Sequence, residues 1–263
     1  NTLMQDAKRH GVRTKPISIV HSMISTEVID DHLLRLGFHR LKGLRQNTME
    51  HIVEERSKSA FSSLEDFLRR VRPNVKERRL LAAAGALNDL PEVEHRRDAL
   101  WQAEQLPLDD LFAAPPPTEK VLEMMTPAER LNTDFALQGS TTGPHPMRLW
   151  RRDQDLNLTT SASLFEMPHG KPLVIAGLVI CRQRPGTAKG HCFISLEDEF
   201  GIANLFIPRK TFHAYKLIIV SESFLLVQGR LQITEGRQPT VYVTSIQPLG
   251  VSGDLATVSH DFH

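Results

Sequence analysis

A run of cationic side chains between two predicted strands suits contact with a phosphate backbone. The run surrounds a Pro185-Gly186 turn signal, where the chain is expected to form an exposed loop. Cations in such a loop displace the counterions condensed on a nucleic acid, and this release contributes much of the binding free energy. A second predicted loop, later in the chain, adds two further arginines. The candidate phosphate contacts in these two loops are Arg182, Arg184, Lys189, Arg230 and Arg237.

Two phenylalanines near the first loop could bind bases by stacking. If the aliphatic residues of the two strands that carry them point inward, then Phe193, Phe206 and Asn204 point outward. Outward rings would form a platform that accepts any base, since every base has a π face. Phenylalanine is more often buried than exposed, so the alternative is that both rings belong to the core. The residues alone leave both interpretations open.

Residues 41–45, Leu-Lys-Gly-Leu-Arg, resemble the loop of a helix-hairpin-helix. In such a loop Gly43 permits a tight turn, so that backbone N–H groups of the loop and of the next helix point at one phosphate. Lys42 and Arg45 would add charge-assisted contacts, with Leu44 between them. The usual second glycine of this hairpin is Arg45 here. The alternative is an ordinary corner between two helices.

The sequence offers no set of residues with the spacing of a catalytic or metal site. Three consecutive carboxylates, residues 197–199, precede a turn glycine, and we expect solvated charges there rather than a metal site. The twelve histidines are scattered without an HExxH pattern, and the P-loop, GxSxG and dinucleotide-binding motifs are absent. We therefore expect no catalytic residue, metal ligand or cofactor in this chain.

The elements that must position the cations and rings form a barrel. The C-terminal pattern predicts five short strands with one helix between the third and the fourth, the order of an OB-fold. Such barrels bind oligonucleotides or oligosaccharides on the face of strands two and three, and the loop cations favour nucleic acid. The expected elements are strands 173–181, 191–197, 202–207, 224–233 and 240–246, and a helix over 209–218.

Upstream of the barrel, period-3.6 patterns predict a helical block. Its first apolar run, from Leu33 to Leu41, leads into the Gly43 loop. A proline-rich connector follows, in which Thr126 is expected to cap one helix. The fold class is therefore α+β multidomain, with a helix-hairpin-helix domain followed by an OB-fold β-barrel. The predicted parts are the end of an earlier domain (1–25), a tandem helix-hairpin-helix domain (26–105), a linker with one helix (106–168), the barrel (169–250) and a disordered tail (251–263).

Composition sets broader bounds. At 263 residues with 40% hydrophobic content, the chain is long enough for two compact domains. No run of eighteen apolar residues exists, so we expect no membrane partner. The first residue is not Met and a signal-peptide core is absent, so we expect a fragment of a longer cytoplasmic protein. Two blocks are basic, which suits phosphate contact at two places: residues 35–79, with twelve Lys/Arg against six Asp/Glu, and residues 169–249, with nine against five.

Four ordered motifs carry a resemblance that extends over nearly the whole chain. They are DAKRHGV (6–12), RLGFHRLKGLR (35–45), TTGPHPM (141–147) and RQRPGTAKG with the following FISLEDE (182–199). Together they resemble the C-terminal region of the error-prone branch of bacterial C-family DNA polymerases. The resemblance implies a parent enzyme that extends primers across damaged template, using deoxynucleoside triphosphates and two magnesium ions. It also implies that the catalytic aspartates lie upstream in a palm domain, that residues 1–25 end a fingers-like domain, and that this chain alone is inactive.

The same resemblance implies roles and partners. It favours contact of the Gly43 loop with duplex DNA behind the active site and of the barrel with single-stranded template. The implied partners are DNA, an accessory Y-family-like protein and the sliding clamp. Leu111 and Phe112 match the hydrophobic end of a clamp-binding peptide, whose leading Gln is absent here. Two alternatives remain: a barrel that docks accessory subunits instead of DNA, and a fragment of the replicative alpha-subunit paralogue.

Overall fold

The chain forms two compact units. The computed structural model describes residues 2–105, 122–152 and 158–249, and the backbone of 260–262; Leu111 and Phe112 of the predicted clamp peptide lie outside these residues. We call residues 11–142 the helical unit, and residues 1–10 together with 143–263 the barrel unit. Because α1 (Thr2–Arg9) belongs to the barrel unit, the helical unit lies between two parts of the barrel unit along the chain.

Two contacts fix α1 to the rest of the barrel unit. Lys8 Nζ donates to the carbonyl of Gly143 over 2.7 Å. The next residue, Arg9, donates from Nη1 to Glu197 Oε1 over 3.4 Å. Residues far apart in sequence therefore hold the first helix of the chain on the barrel.

In the helical unit, a small sheet precedes the helices. Strand β3 (Leu33–Arg35) pairs in parallel with β1 (Arg13–Lys15) and antiparallel with β2 (Glu27–Asp30). The elements in chain order are β1 (Arg13–Lys15), β2 (Glu27–Asp30), β3 (Leu33–Arg35), α2 (Gln46–Lys58), α3 (Leu64–Val71), α4 (Val75–Ala83), α5 (Arg96–Gln105) and α6 (Pro127–Gln138).

The prediction that the helical block begins with the apolar run from Leu33 to Leu41 is wrong. Strand β3 and a 3-10 turn, Phe38–Arg40, occupy this run. The N–H groups of Phe38 and His39 donate to the carbonyls of Met23 and Ile24, over 3.0 Å in both cases. Because the segment at residues 23–24 supplies these acceptors, the run does not need the i−4 carbonyls of a helix.

The described part of the predicted linker, residues 106–168, also differs from the prediction, which gives it one helix. Helix α6 begins as expected, since Thr126 accepts from the Glu129 N–H and the Glu129 carboxylate accepts from the Thr126 N–H. It belongs to the helical unit, however, where Asp134 accepts from Arg96 Nη1 over 2.7 Å. A further helix, α7 (Pro146–Arg152), follows in the barrel unit. The connector therefore contributes to both cores.

The barrel unit contains the predicted five strands with helical structure between the third and fourth. Strand β4 (Pro172–Gln183) pairs antiparallel with β5 (Cys192–Glu197) and with β7 (Phe224–Gln232). Strand β6 (Ile202–Ile207) pairs antiparallel with β5 and in parallel with β8 (Thr240–Pro248), and β8 is antiparallel to β7, so that the sheet closes on itself. This order confirms the OB-fold and the α+β class. The elements are β4 (Pro172–Gln183), β5 (Cys192–Glu197), β6 (Ile202–Ile207), α8 (Arg209–Ala214), α9 (Lys216–Ser221), β7 (Phe224–Gln232) and β8 (Thr240–Pro248).

The tail prediction differs from the structure at three residues. Residues 260–262, expected to be disordered, form β9 (His260–Phe262), parallel to β4 at Cys181–Gln183. The second half of β4 bonds to β5 on one side, and its other edge is open to a further strand, which β9 supplies.

Alternation from Cys192 to Leu196 on β5 and along β6 decides which side chains face out. The inward side chains of these residues fill the barrel core, and their outward side chains are exposed or half-buried. Phe193 and Phe206 belong to the outward set, with Phe193 39% exposed. The inward residues are Cys192, Ile194, Leu196, Ala203, Leu205 and Ile207.

Candidate nucleic-acid interface

A row of aromatic rings crosses the outer face of β5, β6 and β8. Strand register sets Phe193 beside Phe206 and Phe206 beside Tyr242. The ring centroids of Phe193 and Phe206 are 5.5 Å apart, and those of Phe206 and Tyr242 are 5.6 Å apart. We call Phe193, Phe206 and Tyr242 the aromatic row. Outward rings at this spacing suit stacking by successive bases.

His191 extends this surface at the end of the first loop. Its ring centroid lies 4.9 Å from that of Phe206. Its Nδ1 accepts from the backbone N–H of Arg209, the first residue of α8, over 3.1 Å. The imidazole therefore satisfies one orphan amide of the helix while it packs on the central ring of the aromatic row.

A polar row runs beside the aromatic row, two residues along each strand. Register places Ser195, Asn204, Thr240 and Gln232 side by side. Ser195 Oγ donates to Asn204 Oδ1 over 3.3 Å, and Asn204 Nδ2 donates to Gln238 Oε1 over 3.1 Å. A groove of about 570 Å³ lies here, lined also by Phe193 and Phe206. Amide and hydroxyl groups beside the rings are suited to the polar edges of bound bases.

The three cations of the first loop have different positions. Arg182 is half-buried and donates to the carbonyls of Ile219 and Glu222 over 2.7 and 2.5 Å, so it holds the end of α9. Arg184 is exposed, and its guanidinium lies 4.3 Å from the Phe212 ring centroid. Lys189 is exposed in a left-handed conformation. The structure thus presents Arg184 and Lys189 to solvent and gives Arg182 a structural contact.

The two arginines of the predicted second loop lie in different elements: Arg230 lies in β7, and Arg237 lies in the turn between β7 and β8. Arg237 is exposed and lines the groove that holds Asn204. Arg230 pairs in register with Tyr242 on the neighbouring strand, so its exposed side chain continues the aromatic row. The structure therefore brings both arginines to the same face as the rings.

The hairpin loop of the helical unit differs from the predicted phosphate-binding geometry. Gly43 adopts the expected positive φ, 94°. The N–H of Lys42 donates to Leu137 O over 2.9 Å, that of Leu44 to Leu41 O over 3.3 Å, and that of Arg45 to Glu77 Oε1 over 3.2 Å. Three amides of the loop are thus bonded inside the unit, and the Leu44 side chain is buried. The Lys42 side chain is exposed.

Glu77 takes the place that the hypothesis gives to a phosphate. Its buried carboxylate accepts from Arg45 Nε and Nη2 over 2.9 and 2.8 Å and from Thr48 Oγ1 over 2.8 Å. Burial alone would raise the pKa of Glu77. The hydrogen bonds from Arg45, Thr48 and the Asn74 N–H outweigh it and lower the pKa to about 2.

The carboxylates at residues 197–199 are not the solvated turn that the sequence predicts. Glu197 and Asp198 are buried. Asp198 accepts from the Ser161 N–H and hydroxyl over 2.8 and 2.5 Å and from the Gly201 N–H over 3.0 Å, so it ties the turn together. Glu199 accepts from Arg151 Nε over 2.8 Å. The run is therefore bonded within the unit, although Glu197 Oε2 and Glu199 Oε2 are buried without a hydrogen-bond partner among the described residues.

Two members of the interface were missed at the sequence level, Tyr242 and His191. The signal for Tyr242 was present, because buried Val241 and Val243 flank it and alternation then points it outward. The role of His191 depends on the N–H of Arg209, eighteen residues away, which alternation does not reveal.

The fold and the outer face define a nucleic-acid-binding protein of two modules. Residues 11–99 match the family described as helix-hairpin-helix motif. Residues 173–249 match the family described as OB-fold nucleic acid binding domain. Among solved structures, aspartyl tRNA synthetase from Entamoeba histolytica covers 36% of this chain and 22% of its own at 18% identity, with a TM-score of 0.30, too low to inform function.

Similarity to full-length proteins makes the identification specific. Error-prone DNA polymerase of Anaeromyxobacter dehalogenans is 35% identical over 279 residues, which is 100% of this chain and 24% of that protein. The error-prone DNA polymerases of Pseudomonas paraeruginosa and Azoarcus sp. are each 35% identical over 99% of this chain and 26% of their own length. The chain belongs to the family of error-prone DNA polymerases and spans about a quarter of the length of these relatives.

Proposed function

We propose that this chain is the DNA-holding part of an error-prone polymerase that extends primers across damaged template after DNA damage. The helical unit contacts the backbone of the primer–template duplex, and the barrel contacts the single-stranded template. The barrel part of this proposal rests on one observation: three aromatic rings lie in register on the outer face of an OB-fold, bordered by exposed cations. Such a surface binds single strands with little sequence preference.

The contribution of the helical unit is electrostatic. Lys42 is exposed beside Gly43, at the N-terminal end of α2. The Glu77 carboxylate already faces the N-terminal end of α2, so the Lys42 side chain is the group of this loop that we assign to a phosphate. Sequence-independent contact with the duplex backbone needs no more than this kind of positive surface.

The chemistry of the whole polymerase comes from elsewhere in the protein. Deoxynucleoside triphosphates, two magnesium ions, an accessory Y-family-like protein and the sliding clamp belong to that proposal, as does a cytoplasmic site of action. Among the described residues, no group of three or more His, Cys, Asp or Glu side chains could hold a metal ion, and no helix is long and apolar enough to cross a membrane. We expect this chain alone not to extend a primer, and a primer-extension assay with magnesium and nucleotides checks this.

Oligonucleotide binding at two salt concentrations tests the proposal. A labelled single strand titrated with the chain at about 50 and 200 mM salt should lose roughly tenfold or more in affinity, because several cations release counterions. The alternative is a barrel that docks accessory proteins. Absence of single-strand binding at the lower salt concentration would favour that alternative. A fragment of the replicative paralogue would bind DNA as well, so this assay does not separate it; the identity to error-prone relatives argues against it.

A further inference from the structure

A second groove opens on the outer face of the barrel, beyond the end of the aromatic row. It has a volume of about 550 Å³ and is bounded by parts of β4, β7 and β8 and by Thr159. Its polar side chains are Thr159, Gln228, Arg230 and Thr244. We call it the β7 groove. It lies on the opposite side of Arg230 from the groove that holds Asn204.

Strand register makes the β7 groove continuous with the aromatic row. Arg230 is the partner of Tyr242 on one side and of Pro172 on the other. Both Arg230 and Thr244 are exposed, so they point to the same outer face as the rings. Adjacent strands are about 4.8 Å apart, and four strand-to-strand steps from Phe193 to Pro172 therefore make a path of roughly 19 Å.

The aromatic row alone is too short for a typical single-strand site. Its three rings provide stacking for at most three bases, if each ring takes one. OB-fold domains occupy about 4–16 nucleotides of single strand. The nucleotides beyond the rings need another surface, and the β7 groove is the one that Arg230 connects to the row.

The side chains of the β7 groove suit a sugar–phosphate backbone rather than bases. Arg230 supplies a guanidinium, which binds phosphate oxygens through paired donors. Gln228 is exposed beside it, and Thr244 lies at a register shift of β8, where its hydroxyl donates to the Gln228 carbonyl over 3.1 Å. Hydroxyl and amide groups contact backbone oxygens without reading sequence. Among the residues that bound the groove there is no aromatic ring.

We propose that the β7 groove is a second subsite for single-stranded nucleic acid, which holds the backbone of the nucleotides that run past the aromatic row. This inference rests on the proposed function of the barrel. It predicts that affinity grows with strand length through contacts at Thr244 and Gln228, and that charge placed at Thr244 acts on long strands alone.

Opposite charges at Thr244 give a sharp test. The whole chain is titrated with oligothymidylates of 4 and 12 nucleotides, as wild type, Thr244→Glu and Thr244→Lys. Thr244→Glu should weaken binding of the 12-mer about tenfold, and Thr244→Lys should strengthen it about threefold or more, because one phosphate is repelled or gained. The 4-mer should change less than about twofold, since it is held by the rings. Ala214→Glu and Ala214→Lys are matched controls, because Ala214 is exposed on α8 and lines neither groove.

The outcomes separate this inference from the function on which it rests. If the wild type binds neither oligonucleotide, the proposed function fails and the subsite fails with it. If it binds both oligonucleotides equally, or if the Thr244 variants shift both equally or neither, the aromatic row stands and the β7 groove is not a subsite. Equal effects of the Ala214 variants would show a general charge effect and also overturn it. Thr244→Lys keeps the test valid if a thermal melt shows that Thr244→Glu is unfolded.

Discussion

Arg45 and Glu77 form a two-pronged ion pair between the start of α2 and the first turn of α4. Arg45 Nε lies 2.9 Å from Glu77 Oε1, and Arg45 Nη2 lies 2.8 Å from Glu77 Oε2. The Arg45 side chain is 59% exposed, whereas that of Glu77 is 2% exposed. A carboxylate of the protein itself therefore neutralises the residue that stands where a hairpin glycine was expected. The pair fixes the geometry of the loop that precedes α2.

The pair should make the helical unit sensitive to acid. The pKa of Glu77 lies below its ordinary value, at about 2 in the folded state, so its stabilisation is complete above about pH 4.5 and is lost as the pH falls through about 2. Glu77→Gln should reduce the free energy of unfolding by up to about 3 kcal/mol near neutral pH, and this deficit should shrink toward pH 2. Urea unfolding as a function of pH measures it.

Glu65→Gln is the control for this prediction. Glu65 also lies in the first turn of a helix, α3, but is exposed. Its substitution should leave the pH dependence of unfolding as in the wild type. A deficit in Glu77→Gln that stays constant from neutral pH to pH 2 would show that the ionised carboxylate is not the source of the stabilisation.

Substitutions of Lys42 and Arg45 should have different effects, the first on duplex binding and the second on stability. Lys42→Gln should weaken duplex DNA binding about threefold to tenfold and reduce the log–log salt slope by about 0.9, with an unchanged melting temperature. Arg45→Gln should lower the melting temperature, because it leaves the buried Glu77 carboxylate without its cation. Fluorescence anisotropy and thermal melts measure both effects. An Arg45→Gln variant of normal stability and poor duplex affinity would assign Arg45 to DNA instead.

Phe206 is the centre of the aromatic row, since the rings of Phe193, Tyr242 and His191 all contact it. Phe206→Ala should reduce the free energy of single-strand binding by about 1–3 kcal/mol. Its effect on folding should be smaller, because cross-strand pairs contribute about 0.2–1 kcal/mol each. Phe200→Ala, at an exposed phenylalanine in the turn between β5 and β6, is the control and should leave affinity unchanged. Equal losses of affinity in both variants would refute the platform.

The three cations of the first loop should fall into two groups, according to whether they contact DNA or the protein itself. Arg184→Gln and Lys189→Gln should each reduce the salt slope of single-strand binding by about 0.7 without lowering the melting temperature. Arg182→Gln should instead reduce barrel stability by about 1.5–3 kcal/mol, because the carbonyls of Ile219 and Glu222 lose a charged donor. Thermal melts and binding titrations of the three variants distinguish a loss of stability from a loss of affinity. An Arg182→Gln variant that melts normally and binds weakly would place Arg182 among the DNA contacts.

The barrel could be predicted from sequence because its order depends on local signals. Period-2 alternation on β5 and β6 places Ile194 and Leu205 inward and Phe193 and Phe206 outward, and the structure has them so. The start of α6 was equally accessible, since a capping box involves residues three apart, Thr126 and Glu129.

The errors come from partners that are distant in sequence. Residues 33–41 have the composition of a helix, but β1 and β2 pair with the strand β3, and Met23 and Ile24 supply carbonyls to the turn that follows it. Glu197 lies in a charged run that suggests exposure, whereas its carboxylate is buried against Arg9, which is 188 positions earlier. The spacing of residues within a segment does not reveal such contacts, and here the tertiary contacts override the local structural propensity.

The placement of α1 changes how this protein can be dissected. A barrel cut out at residue 169 would keep Glu197 and lose Arg9, as well as His145, whose Nε2 lies 3.9 Å from the Glu197 carboxylate. A carboxylate stripped of its cation in an apolar setting favours unfolding. Negative binding results from so short a fragment would then reflect a damaged barrel rather than a surface without affinity for DNA. A fusion of residues 1–10 to residues 143–263 through a flexible linker would restore these contacts and isolate the barrel in its native form.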